Sequence, residues 1–560
     1  MEENHKDEQK AYEERLRRRL KILRKTFEEG NIRIPNDPHI KDSLLAVRYG
    51  PDGEIDLSTV DGIVRSMALA ITAMNDREEL KKAYPLDEIQ QTYFEFIDRN
   101  FGEYYKIMLE RGLTPHDAGL ALSRREETIN SITDQIPDFF NIIEEFWLNA
   151  GEALIAHVED MHESLKGVFG GDLFPAHSEN IASKCGIYVD TIILPDPFLR
   201  SKALFPRWPK GDQAYYFIKH ALNILQYKEL ACAKVDQPIV VIVPDKAAFE
   251  EGERDFYMKL GKDDSIEHAA RMFGRKFESF EELMEFANAL DTIEKVVAEI
   301  KDKSRVLFDT DFGNDVFEQI KRAVDGDTGQ LMGTKNPGII VATHAMGRMT
   351  VSNELLIKAR RMRATPIIDA PTSWAYLNWK LEYDAGKAEA ESGLKDLHIL
   401  RSLQSLSKNE MQWLGKVPTD ALIELRKSGA LDEIRGILGS GVDEIAKANP
   451  LNFFRTTDQV FENIDHAFEV HRGKIKELSA KKWKFAGTDI ASWLVVGTME
   501  VTAAATGIPV WGLATIAANQ VFDIPKLREI PVTIKELAEE NRKLKLSPVS
   551  LLFKYANKKA

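Results

Sequence analysis

Apolar residues recur at helical spacing from the start of the chain. Tyr12, Leu16, Leu20, Leu23 and Phe27 form one stripe, flanked by densely charged faces and followed by Gly30. Residues 1–30 therefore predict an amphipathic helix with a glycine stop. After a loop marked by Pro35, Pro38, Pro51 and Gly53 the spacing returns. Val60, Val64, Met67, Ile71 and Met74 make a second stripe, and Ile89, Tyr93, Phe96, Ile97, Tyr104 and Met108 a third. Segments 141–148 and 153–165 continue the pattern, so residues 58–183 read as a helical domain.

Near residue 184 the pattern changes to short apolar runs rich in β-branched residues. They occupy 186–194, 238–244, 306–308, 338–342 and 365–369, with helical patterns between them. Such alternation predicts a small α/β domain over 184–385 with a largely parallel sheet. Residues 386–560 return to helical spacing. There Thr419 is placed to cap a helix that Gly429 ends, and 431–438 starts the next. The fold class expected is predominantly α with a central α/β layer, in several domains.

Charge and cysteine content narrow the classes. The net charge of -14 argues against a dedicated nucleic-acid surface, which needs excess Lys and Arg. Cys185 and Cys232 are the only cysteines, so a disulfide framework and a Cys-rich zinc site are excluded. The first 25 residues lack an apolar signal region, and the expected location is the cytoplasm. The basic run, Arg15 with Arg17 to Lys21, offers a second expectation, contact with an acidic membrane surface or with nucleic acid. Its alternative is a solvated face on a helix that packs on the body or on another subunit.

Candidate chemistry centres on Asp309, Asp311 and Asp315, which follow the 306–308 run. Carboxylates at a strand's C-terminal end suit hard cations such as Ca²⁺ or Mg²⁺. The segment Val306-Leu-Phe-Asp-Thr-Asp-Phe-Gly-Asn-Asp315 resembles the calcium-binding signature of nucleoside hydrolases. The resemblance implies that Asp309, Asp311 and Asp315 hold calcium, which orients a ribose and the attacking water. The family carries a further aspartate where this chain has Val316. His344, after the 338–342 run, is a candidate general base, and Asp369, ending the 365–369 run, a second catalytic candidate. Pro195-Asp196-Pro197 reads as a rigid turn. P-loop, GxGxxG, HExxH and GxSxG patterns are missing from the sequence.

Residues 490–521 stand apart. They are apolar and rich in small residues, include Trp493 and Trp511, carry Glu500 in the first arm, and are interrupted at Gly507-Ile-Pro509. Each arm falls short of the roughly 20 residues that span a bilayer. Two readings stay open: a buried helical hairpin, or a concealed hairpin that reaches membrane when triggered. The layout resembles large helical proteins of prokaryotic conflict systems. That resemblance implies an effector or regulatory protein acting through assembly and ligand or partner sensing, as in antiviral defence. Self-association or a protein partner is expected with it. The alternatives are a divalent-metal hydrolase of nucleosides or nucleotides, and a scaffold or peripheral membrane protein.

Overall fold

The computed structural model describes residues 2–30, 37–51, 53–172, 180–245, 251–313, 315–384, 394–408, 411–448, 450, 452–480, 484–485 and 488–489. The 490–521 stretch, with Trp493, Glu500, Gly507, Pro509 and Trp511, lies outside the described residues.

The elements that frame the site are, in chain order, α1 (Glu2–Glu28), α2 (Gly62–Ala83), α3 (Leu86–Glu110), α4 (Glu126–Asp160), β1 (Lys166–Phe169) and α5 (Ile181–Cys185). Then come β2 (Thr191–Pro195), α6 (Pro197–Leu204), α7 (Lys210–Leu225), β3 (Val240–Val243), α8 (Glu251–Phe273) and α9 (Val316–Asp325). α10 (Pro337–Arg361), β4 (Ala364–Ile367), α11 (Pro371–Asp384), α12 (Leu394–Lys408) and α13 (Phe453–Ala480) complete the set. The fold is predominantly helical with one small parallel sheet, the class expected from the pattern of apolar positions. Among the described residues no helix is long and apolar enough to cross a membrane.

The chain divides into two compact units, Met1–Ile89 with Leu148–Asp160, and Gln90–Trp147 with the rest. In the first, Leu16, Leu20 and Leu23 of α1 are buried together with Val60, Val64 and Ala68. The apolar stripe of the N-terminal helix is thus a packing face. Its basic residues find acids nearby: Lys21 Nζ lies 3.0 Å from Glu54 and Arg18 lies 2.8 Å from Asp76.

In the second unit four strands form a parallel sheet in the order β3-β2-β1-β4. Lys166 is in register with Thr191 on one side and Ala364 on the other, and Ile192 with Val240. β3 is Val-Val-Ile-Val, buried along its whole length, as a parallel strand covered on both faces must be. Pro366 sits in β4, one of the two edge strands, where a missing N–H is tolerated.

Several expectations are corrected here. The 338–342 run is not a strand; it lies in α10. Asn336 caps that helix by accepting from Ile339 N at 3.1 Å, and Pro337 occupies its first turn. This start signal overrides the β-branched composition of Ile339, Ile340 and Val341. The 306–308 run is a loop between two short 3-10 turns, and Phe308 N donates to the Gln319 side chain at 3.0 Å rather than to a strand. The 186–194 run becomes a strand only from Thr191. Conversely β1, read as the tail of a helical stretch, is a central strand. Thr419 does not cap its helix, whose N-cap is Pro418, whereas Gly429 does adopt the left-handed conformation at φ 67°.

α8 crosses α10 at a point of close backbone approach. A Cβ on Gly261 would fall 2.0 Å from Thr350 Oγ1 and 2.9 Å from its Cα. Gly261→Ala is therefore expected to cost about 1–3 kcal/mol through overpacking, read as a lower urea midpoint at unchanged slope.

Candidate functional site at the carboxyl edge of the sheet

Each strand of the parallel sheet runs into an aspartate. β1 continues through Gly170-Gly171 to Asp172, β2 to Asp196, β3 through Pro244 to Asp245, and β4 through Ile368 to Asp369. The four carboxylates therefore line one edge of the sheet, where α/β folds place ligands. Gly171 makes the exit from β1 possible, with φ 88° and with Ile368 Cδ1 only 2.9 Å from where a Cβ would stand.

The cations come from helices around that edge. Arg200 on α6 places Nε 2.6 Å from Asp245 and also pairs with Glu354. Lys358 on α10 lies 2.9 Å from Asp245 and closes the ring on Glu354. Asp245 is 1% exposed. Burial alone would raise its pKa, but the charges of Arg200 and Lys358 hold its carboxyl well below the usual range. Likewise Asp245 and Glu354 overcome the desolvation of Arg200 and raise its pKa.

At the other side of the sheet, Asp172 accepts from Arg348 Nη1 at 2.7 Å and from Ser373 Oγ at 2.6 Å. Burial pushes its carboxyl up, Ser373 and Arg348 pull it down, and the nearby charge of Asp309 raises it again. Asp369 pairs with Lys184 Nζ at 3.0 Å, and that lysine side chain is 1% exposed. Between these two sides, Asp196 accepts from Trp147 Nε1 at 2.5 Å and from Phe198 N at 2.6 Å, capping α6. Its carboxyl is pushed up to about 6, burial being the main cause.

The residues singled out in the sequence are dispersed around this edge. Asp369 lies on it. Asp309 stands close enough to act electrostatically on Asp172, but its Oδ1 is engaged by Asp311 N at 2.9 Å. Asp311 and Asp315 are exposed, and Asp315 caps α9 through Glu318 N at 2.9 Å. Among the described residues no group of three His, Cys, Asp or Glu side chains could hold a metal ion. Of the three carboxylates whose spacing suggested a Ca²⁺ or Mg²⁺ site, Asp309 and Asp315 are engaged by backbone N–H groups of their own segment.

His344 is not at a strand end but within α10. Its ring lies 4.5 Å from that of Phe308, and its Nε2 is shielded from solvent without a hydrogen-bond partner. Burial lowers its pKa to about 3. Nearby His268 donates from Nε2 to the Arg305 carbonyl at 2.9 Å and accepts at Nδ1 from Tyr383 Oη at 2.8 Å. Burial lowers its pKa to about 4. An unfolded histidine titrates near ~6.5, so the unfolded chain takes up these protons first. Stability contributed by the two neutral rings is complete above ~6.5 and is lost as pH falls toward their folded values. His344→Phe is expected to stay within about 1 kcal/mol of the parent at neutral pH and to flatten that acid slope in urea titrations.

Asp172, Asp245, Arg200, Arg348, Lys358 and Glu354 were not found by sequence reasoning. The available signal was a repeat of form: an apolar run followed within a few residues by aspartate, at 168–172, 194–196, 243–245 and 367–369. Comparison with protein-family models, curated protein sequences and solved structures gave no match for this chain.

Proposed function

We propose that the protein is a regulatory or effector protein that senses a small ligand at the carboxyl edge of its parallel sheet and acts through assembly. The observation that carries this reading is the strand order. Consecutive strands β1, β2 and β3 step one way, and β4 is added on the other side of β1. The direction reverses between β1 and β4, the switch point where open α/β sheets form their ligand crevice. Gly170-Gly171, Asp172, Asp369, Lys184 and Arg348 all gather there. Charged side chains from α5 and α10 and the first turn of α11 converge on this edge, so occupancy would bias the packing of three helices at once.

The test is binding of a panel of nucleosides, nucleotides and small organic acids to the full chain by calorimetry and thermal shift. A ligand that raises the melting temperature, and loses this effect in Asp369→Asn, supports the reading. Light scattering with and without that ligand then reports assembly. A full panel without a single shift would sink it.

A second reading, hydrolysis of nucleosides or nucleotides, has one specific observation behind it. The charge of Asp309 helps burial to raise the carboxyl of Asp172, so a carboxyl of raised proton affinity has a second carboxylate near it. Such a pair is the requirement for acid and base roles at one site. Release of base from nucleosides, lost in both Asp172→Asn and Asp309→Asn, supports it; unchanged turnover in either variant ends it.

A further inference from the structure

We propose that Arg401, stacked on Trp374 beside the end of β4, is the anchor for an oxyanion group, phosphoryl or carboxylate, of the ligand sensed at this edge. The inference rests on the carboxyl-edge reading above and adds the chemical class of the ligand. The Arg401 guanidinium of α12 lies 4.6 Å from the Trp374 ring centroid. That platform is itself fixed. Trp374 is 7% exposed, sits in the first turn of α11 and packs edge-on against Phe453 at 4.9 Å. Phe453 in turn stacks on His398 at 4.1 Å.

The other cations of the edge are committed. Arg200, Arg348, Lys184 and Lys358 all hold carboxylates at bonding distance. Arg401 alone among these has no hydrogen bond and no ion pair to any described residue. Asp369, whose charge reaches it, is already engaged by Lys184 at 3.0 Å. Burial brings the Arg401 pKa down to about 10, and the field of Asp369 only partly offsets this. The side chain is half-buried, so a ligand can still reach it.

A half-buried guanidinium stacked on an indole, with no partner among the described residues, keeps five donors open to an incoming group. Its planar fork matches two oxygens of a phosphoryl or carboxylate group, while stacking on Trp374 leaves the donor edge free and pre-oriented. A structural arginine would be paired within the fold, as Arg200 and Arg348 are. The unpaired state is the one expected of a residue whose counter-charge arrives with the ligand.

The experiment is calorimetric titration and thermal shift of the full chain with four probes: inorganic phosphate, adenosine 5′-monophosphate, succinate and neutral adenosine. The parent, Arg401→Gln and Arg401→Lys are compared. The expected result is binding of phosphorylated or carboxylated probes by the parent, weakened by about tenfold or more in Arg401→Gln and less in Arg401→Lys. Which of the two probe types binds identifies the source of the oxyanion. Without ligand, Arg401→Gln is expected to melt at the parent temperature or above, because the uncompensated charge is gone. The inference is overturned if no oxyanion binds, if Arg401→Gln binds as the parent does, or if the unliganded variant melts lower than the parent. Binding of adenosine without any oxyanion would overturn it while leaving the carboxyl-edge site standing. Silence from all four probes would count against both.

Discussion

Replacing Asp245 by alanine is expected to cost about 3–5 kcal/mol, the range for removing one partner of a buried ion pair. The expectation follows from what the substitution leaves behind. Asp245 is 1% exposed and holds Arg200 at 2.6 Å and Lys358 at 2.9 Å. Without it, two cations share Glu354 as their remaining carboxylate among these groups. Their mutual repulsion then acts where screening is weak. The loss would appear in urea or thermal unfolding as a shifted midpoint. A control separates charge from packing: replacing Asp245, Arg200 and Lys358 together by apolar residues of similar volume should recover much of the loss. The pH dependence has a definite sign. Asp245 is held below the ordinary carboxyl value, so its contribution is complete above ~4 and disappears as pH falls further. A loss under 1 kcal/mol at neutral pH would show that the network carries no net pairing energy.

The helical architecture was legible because its signals are long. The stripe Leu16, Leu20, Leu23 repeats over enough turns to declare one face, and that face is buried. The sheet was legible only in part, because its strands are four or five residues long. A run of that length carries too little periodicity to separate a buried strand from a turn of buried helix. Val240 to Val243 betrayed itself by composition and by flanking prolines, and Ala364–Ile367 by its apolar run before Asp369. Lys166–Phe169 did neither, since lysine and glycine fill half of it. Yet Gly167 is there for a packing reason: a Cβ would fall 2.3 Å from Ile367 Cδ1 across the β1–β4 pair. The site was less legible than the fold for a related reason. Asp309, Asp311 and Asp315 are adjacent in sequence and therefore conspicuous, but two of the three cap local turns or helices. Asp172, Asp196, Asp245 and Asp369 span nearly 200 residues. Only the parallel sheet, which brings every strand's C-terminus to one edge, makes them neighbours in the fold.

Asp196 should report on that edge through both stability and pH. Asp196→Ala removes the cap of α6 and orphans the Trp147 indole N–H, which the structure places 2.5 Å from the carboxylate. A lost cap costs about 1 kcal/mol and a buried donor without a partner about 1–3 kcal/mol, so a total near 2–4 kcal/mol is expected. The pH term runs opposite to that of Asp245. Burial lifts the Asp196 carboxyl to about 6, against the pull of the Trp147 and Phe198 donors. The unfolded carboxyl titrates near ~4, so the folded state binds this proton first. The favourable contribution is complete below ~4 and is lost as pH rises through about 6. Asp196→Asn cannot titrate, so the difference in unfolding free energy between parent and variant should change across pH 4–6 and level off above it. Subtraction cancels the histidine contributions from His268 and His344, which have the opposite slope in the same range. The Trp147 indole gives a second readout, since its hydrogen-bond acceptor changes charge. The difference fluorescence between parent and Asp196→Asn should titrate near pH 6. A flat stability difference from pH 4 to 7, with no fluorescence transition, would mean that Trp147 and the α6 backbone hold Asp196 ionised throughout. Asp196 would then be a permanent charge without a cation among the described residues, beside the ion-paired Asp172, Asp245 and Asp369, and an anionic ligand held by Arg401 would have to bind against it.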